Sequence, residues 1–174
     1  HIASNTPNSW YYSKKMLYQT IKKNVESEGF TVLSDGLIMD DINDYRPGVK
    51  ARNEEGVRSL LQEAGLYKSE IRELAKRAGV TNWNKTPSCS LASRFPYGTR
   101  ITPEKVEAVF KAEEYFTKRG FEPVRVRVHQ DLARIEVGAD QIEKLVKNHE
   151  EINKMMQDLG FLFVTVDLQG YKYG

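Results

Sequence analysis

The chain has 174 residues, with 26 Lys plus Arg against 24 Asp plus Glu for a formal charge of +2, and is 40% hydrophobic and 29% charged. That composition belongs to a folded globular protein and excludes a disordered, collagen-like or disulfide-stapled chain, while the near balance of charge gives no general basis for gripping duplex DNA. A lone cysteine forms no internal disulfide, no Cys/His spacing suits structural zinc, and no apolar run is long enough to span a bilayer, so a cytoplasmic protein off the membrane is expected.

Asn8 or Ser9 is positioned to cap a helix carrying Leu17, Ile21 and Val25 at four-residue spacing and closing at Glu28-Gly29. Phe30-Thr31-Val32-Leu33, ending in Ser34-Asp35-Gly36, reads as a buried strand that runs into a long polar loop from Gly36 to Arg52. Short helices are expected from about Glu54 to Ala64 and Ser69 to Ala78. A second long connection, residues 81–101, is rich in turn formers and hydroxyls, and its aromatics Trp83, Phe95 and Tyr97 argue that it is ordered. Beyond a soft boundary near residue 101, Thr102 caps a helix to about Arg119, a hairpin spans Pro123 to Val137, a helix runs from Asp140 to Leu159, and Phe161 to Val166 forms a closing strand. The expectation is an α/β chain whose second part is a compact α+β unit.

Four places carry candidate chemistry. Cys89 lies in the polar loop between Ser88 and Ser90 with Lys85 and Arg94 close in sequence, surroundings that favour a thiolate, although free cysteines are often merely buried. In the hairpin, a two-residue turn at Gln130-Asp131 pairs Val126 with Ile135, Arg127 with Arg134 and Arg125 with Glu136, which sets three guanidiniums on one face. Opposed arginines call for a screening Glu136 or a bound anion such as phosphate; a solvated charged face is the alternative. Glu113 falls within the apolar stripe of Val106, Val109, Phe110 and Phe116, so it needs a metal, a catalytic role or a partner, for which Arg125 and Arg134 are available. Trp10, seven residues before Leu17, is placed for core packing or for stacking on a planar ligand. His1, His129 and His149 are scattered and compose neither a triad nor a metal site.

Several stretches together resemble one family. They are Thr6-Pro7-Asn8-Ser9-Trp10-Tyr11-Tyr12, Asn43-Asp44-Tyr45-Arg46-Pro47-Gly48 with Lys50-Ala51-Arg52, Ser88-Cys89-Ser90-Leu91-Ala92-Ser93-Arg94-Phe95-Pro96-Tyr97-Gly98-Thr99, and Arg125-Val126-Arg127 followed by Asp131-Leu132-Ala133-Arg134-Ile135-Glu136. The chain is similar to the LarE-type ATP-dependent sacrificial sulfur transferases, which serve the nickel-pincer nucleotide cofactor of lactate racemase. The resemblance implies activation of a nicotinate-derived mononucleotide's carboxylate with ATP and Mg²⁺, transfer to the cysteine sulfur, and cleavage of the cysteine carbon–sulfur bond to leave dehydroalanine. Cys89 stands at the sulfur donor's position. Other members hold an iron–sulfur cluster on three cysteines, whereas this chain has Cys89 alone. By the same resemblance Arg125, Arg127 and Ser93 hold the substrate phosphate, Trp10 stacks near the pyridinium ring, Glu113 is a catalytic or metal-binding carboxylate, Glu136 a second carboxylate of that metal site, and the protein a homo-hexamer.

The family's pyrophosphatase-type loop, Ser-Gly-Gly-x-Asp-Ser, does not occur in these residues, and Asp35-Gly36-Leu37-Ile38-Met39-Asp40-Asp41 departs from the commoner Gly-Thr-Asn-Ala-Asp-Asp. The chain is therefore expected to be the carboxy-terminal two-thirds of a longer enzyme. Residues 1–100 are expected to form part of a Rossmann-like PP-loop domain of the adenine-nucleotide hydrolase type, and residues 101–174 a small α+β substrate-binding or oligomerisation domain. The rival readings are another adenylating enzyme of that fold, amide-forming or tRNA-thiolating, and an RNA-binding module using Arg125, Arg127 and Arg134.

Overall fold

A computed structural model describes residues 2–172 as two compact units, one built on Thr6–Pro87 and the other on Ala3–Asn5 with the chain from Ser88 onward. The chain is mixed α/β, and the three strands β1 (Val124–His129), β2 (Leu132–Val137) and β3 (Phe163–Val166) all belong to the second unit. No helix among the described residues is long and apolar enough to cross a membrane.

In the first unit, α1 (Ser9–Glu26) ends as its spacing predicts, with Gly29 at φ +83 and the Phe30 amide turned back onto the Val25 carbonyl. Its inward positions differ from the expected stripe: Tyr18 is buried, whereas Leu17 is 45% exposed. The small core consists of Tyr18, Ala51 and Val57, with Tyr11 and Leu33 against it. Helix α2 (Pro47–Glu54) approaches α1 closely enough that a Cβ on Gly48 would lie 2.9 Å from Lys14 Cγ. Proline at the first helical position starts this helix inside what reads in sequence as a loop, because Pro-Gly signals a turn as readily as a helix start.

Phe30–Leu33 is not a buried strand. Phe30 and Val32 are 60% and 62% exposed, and pairing is limited to a parallel bridge between Ser34 and Arg58. An apolar run becomes a strand only beside a partner that matches its length, and among the described residues Arg58 offers a single position. Likewise the helix expected over Glu54 to Ala64 shrinks to α3 (Leu60–Glu63), because Gly56 takes φ +64 and ends α2; α4 (Lys68–Arg77) lies where expected.

The second unit follows its sequence pattern closely. Thr102 Oγ1 accepts from the Lys105 amide at 3.4 Å and Pro103 opens α5 (Pro103–Lys118). Val124, Val126 and Val128 of β1 and Ala133, Ile135 and Val137 of β2 are buried, and they pack with Val109, Ala112 and Phe116 of α5. The strand register is the expected one, Val126 opposite Ile135 and Arg127 opposite Arg134, and β3 adds in parallel to β2. The helix expected from Asp140 to Leu159 divides into α6 (Ile142–Lys147) and α7 (His149–Asp158). At the break, Asn148 Nδ2 donates to the Lys144 carbonyl at 2.7 Å, a local bond that competes with helix continuation. Residues 88–100 pack within this unit: Phe95 is 5% exposed in its core, and Asn5 Nδ2 donates to the carbonyls of Phe95 and Pro96 at 3.1 and 2.9 Å.

In the first unit, Asp35 accepts from Tyr18 Oη at 2.7 Å and from Ser59 Oγ at 2.5 Å, while Arg52 holds Ser59 and Gln62 at 2.8 Å each. Burial, reinforced by the bond to Asp35, pushes the Tyr18 phenol well above its ordinary value. A raised phenol favours the fold while protonated, so its contribution is complete below about pH 10 and is lost as the pH climbs towards the folded-state value. Ultraviolet titration should show one tyrosine ionising last, and Tyr18→Phe should remove that step together with its share of the alkaline stability loss.

Candidate active site

The alternation that buries the valines of β1 sends Arg125 and Arg127 to the other sheet face with Arg134 and Glu136 of β2. Arg127 and Arg134 are directly opposed, and Glu136 resolves the conflict: its Oε1 accepts from Arg127 Nε and from Arg134 Nη2, each at 3.0 Å. Arg134 Nε also lies 3.5 Å from Asp167 Oδ2, and the Arg125 guanidinium lies 5.1 Å from the centre of the Tyr171 ring. Arg127 Nη1 reaches off the sheet to donate to the Ser93 carbonyl at 3.0 Å. That bond brings together two of the residues expected at the phosphate site.

Ser93 lies in a 3-10 turn, Leu91–Arg94, directly after the Cys89 loop. Ser90 caps the turn, accepting from the Ala92 amide at 3.3 Å, and Phe95 anchors its far end in the core. Arg94 is 4% exposed. Its Nη1 donates to Ser93 Oγ at 2.6 Å, its Nε to Glu113 Oε1 at 2.6 Å and its Nη2 to Glu113 Oε2 at 3.1 Å. Glu113 Oε1 also accepts from the Val126 amide at 2.9 Å, on the edge of β1 away from β2. The carboxylate in the apolar stripe of α5 is therefore paired, but with Arg94 and not with Arg125 or Arg134.

Arg94, the partner of Glu113, is not legible from the sequence pattern. The two are nineteen positions apart across an irregular connection, and periodicity carries no information over such a span. The usable signal is local: Arg94 sits between Leu91 and Phe95, apolar neighbours that draw the turn towards the core. Asp167, in the segment after β3, had no sequence signal either.

Cys89 is a free, exposed thiol. Arg94 is ion-paired with Glu113, so it is not a lone cation beside that sulfur. Trp10 belongs to the first unit, half-buried in the first turn of α1. The network around Ser93 orders the guanidiniums of Arg94, Arg127 and Arg134 with the carboxylates of Glu113, Glu136 and Asp167, and an arrangement so rich in oriented guanidinium donors suits an anion. It does not suit a cation. Both Glu113 oxygens and Glu136 Oε1 already accept from guanidiniums, and no group of three His, Cys, Asp or Glu side chains able to hold a metal occurs among the described residues.

No protein-family model matches the chain. It is, however, 49% identical over all 174 residues to the pyridinium-3,5-bisthiocarboxylic acid mononucleotide synthase of Lactiplantibacillus plantarum, of which it covers 63%. It is also 40% identical over 176 positions to an uncharacterised protein of Synechocystis, covering 66% of it, and 31% identical over 171 positions to one of Methanocaldococcus jannaschii, covering 67%. The chain belongs to the LarE-type family. It spans about two-thirds of the length of these relatives, a little less for the first two. The 174 residues aligned with the synthase are the whole chain, so the matched span includes the Cys89 loop and the arginine strand of this LarE-type chain.

The Arg94–Glu113 pair is buried, with side-chain exposures of 3% and 14%. Removing one partner leaves an uncompensated charge, whereas removing both leaves an apolar contact. Arg94→Met alone should cost about 3–5 kcal/mol, and Arg94→Met with Glu113→Leu should recover most of it. Urea denaturation of the single and double variants measures both.

Proposed function

We propose that this chain is the sulfur-donating and substrate-binding portion of an enzyme that converts a pyridinium-3,5-dicarboxylate mononucleotide to its bisthiocarboxylate, with Cys89 as the sacrificial donor. The observation that carries the reading is the exposed thiol of Cys89 four residues before Ser93, whose carbonyl is bonded to Arg127 in a network of guanidiniums ordered by carboxylates. The 49% identity to a synthase of that product supports it. The proposed setting is cytoplasmic and homo-hexameric, and the proposed use of the product is a nickel-pincer cofactor.

ATP, bound as its Mg²⁺ salt, would supply activation of the substrate carboxylate as the acyl adenylate, the carboxylate oxygen displacing pyrophosphate from the α-phosphorus. The Cys89 thiolate then attacks the carboxyl carbon, a carbon–sulfur bond forms, and AMP leaves with the electron pair of the broken bond. Loss of the Cys89 Cα proton to a base breaks the Cβ–S bond, whose electrons remain on sulfur; the products are a thiocarboxylate and dehydroalanine. No oxidant or reductant enters, and each protein molecule delivers one sulfur, so the second carboxylate is served by a second molecule.

Arg127 is suited to the substrate phosphate because Nε is held by Glu136 and Nη1 by Ser93, which fixes the plane of the guanidinium while leaving Nη2 for the anion. Arg125, held over Tyr171 and bonded to the Val124 carbonyl at 2.7 Å, and Ser93 complete that site in the proposal. The internal pairing of Arg127 and Arg134 with carboxylates also weighs against an extended polyanion as the ligand, since it removes charge that would otherwise meet successive phosphates.

Intact-mass spectrometry of the full-length protein, before and after incubation with ATP, Mg²⁺ and the dicarboxylated nucleotide, tests the reading. Loss of the elements of hydrogen sulfide at Cys89, with one thiocarboxylate per protein, is expected, and Cys89→Ala should give no product. Sulfurated product from Cys89→Ala would transfer the chemistry to another donor, and an amidated product would favour an amide-forming ligase. For Arg127→Ala, calorimetry should show nucleotide affinity falling by about tenfold or more, the loss of a charged hydrogen bond, with the hairpin register intact.

A further inference from the structure

In the proposed reaction Cys89 supplies the sulfur and the arginines of β1 hold the phosphate, and they lie on separate segments that must be kept in register. Two connections join them. One is the bond from Arg127 Nη1 to the Ser93 carbonyl. The other passes through the buried pair: Arg94 grips Ser93 Oγ from within the turn, Glu113 takes the Arg94 guanidinium in a two-point contact, and Glu113 Oε1 also accepts from the backbone amide of Val126, the residue between Arg125 and Arg127.

We propose that Arg94 and Glu113 form a positioning clamp, resting on the sulfur-transfer reading above, which fixes the turn after Cys89 to the edge of β1 so that the thiol and the phosphate-binding arginines share one rigid frame. Three features separate this role from metal binding. Glu113 meets the guanidinium with both oxygens, so a cation at Glu113 would have to expel Arg94. Its third bond goes to a backbone amide, which orients a strand and offers nothing to a metal. And the second carboxylate expected beside it, Glu136, accepts from Arg127 and Arg134 on the opposite sheet face from the valines against which α5 packs. Glu113 is accordingly a positioning residue acting through Arg94 and Val126.

The clamp spans few residues. Ser93 is four residues from Cys89 and adjacent to Arg94, so a shift of the turn passes to the thiol through a short, partly anchored segment. A misplacement of about 1 Å between reacting groups costs on the order of 10²-fold in rate without abolishing binding. Loss of the clamp should therefore lower the maximal rate of transfer, while the phosphate contacts of Arg125 and Arg127 preserve most of the substrate affinity.

The test uses the full-length protein with Arg94→Met and Glu113→Leu combined, which removes both charges, alongside Glu113→Gln. Single-turnover kinetics should show the double variant's maximal rate of Cys89 conversion reduced by about tenfold or more, with the half-saturating substrate concentration changed by less than about twofold. In Glu113→Gln the half-saturating Mg²⁺ concentration should equal that of the wild type, and raising Mg²⁺ should not restore the rate. Alkylation of Cys89 by iodoacetamide, measured without ATP or substrate, should change its rate in the double variant. A wild-type maximal rate in a folded double variant, or rescue of Glu113→Gln by Mg²⁺, overturns the clamp. Failure of the sulfur-transfer reading is distinguishable, because the wild type would then show no Cys89 conversion, whereas the alkylation comparison would still report on the clamp.

Discussion

The site depends on one interaction, the buried ion pair of Arg94 and Glu113. Glu113 occupies a position that helical periodicity assigns to an apolar residue, between Val109 and Phe116 on the face of α5 turned to the sheet, and a carboxylate there is tolerable only with its charge and lone pairs satisfied. Arg94 supplies both, with the Val126 amide taking a further lone pair. The same contact draws the irregular connection before α5 onto the hairpin, so a charge placed against the hydrophobic pattern becomes the means by which a loop acquires a defined position.

A second balance governs the arginine face. Period-two alternation puts Arg125, Arg127 and Arg134 on one side of the hairpin, and unscreened they would oppose the strand pairing that sets them there. Glu136 on β2 and Asp167 after β3 screen Arg127 and Arg134. Ordering the guanidiniums beforehand reduces what a ligand would have to immobilise, so the cluster trades raw charge for defined orientation.

How much of this is legible in the sequence follows from the range of each interaction. The hairpin register is readable because side-chain period and turn length fix it locally, and the Thr102 cap with Pro103 announces α5 in two residues. The failures share one cause: the deciding partner lies elsewhere. Phe30–Leu33 has the composition of a strand, but a strand is a relation between two segments, and Arg58 provides one bridge. Pro47-Gly48 suits a turn or a helix start equally well, and the close approach of Gly48 to Lys14 on α1 decides for the helix. Glu113 is visible as an anomaly because the stripe is local; its partner is invisible because Arg94 reaches it across a connection without period.

That asymmetry bears on how the proposed chemistry is housed. A donor consumed in its own reaction has to be as open as an ordinary surface residue until the activated substrate arrives, and Cys89 in an exposed loop meets that condition. What cannot be ordinary is its placement, which is why the structural effort is concentrated after the cysteine, in the Ser90 cap, the Arg94 pair and the Phe95 anchor. Conversion of Cys89 to dehydroalanine flattens its α-carbon yet touches none of those bonds, since each begins at or beyond Ser90. On the proposed reading the frame holding the phosphate therefore outlasts the residue that is spent, and product release depends on the carboxylate-tempered arginines and not on collapse of the site.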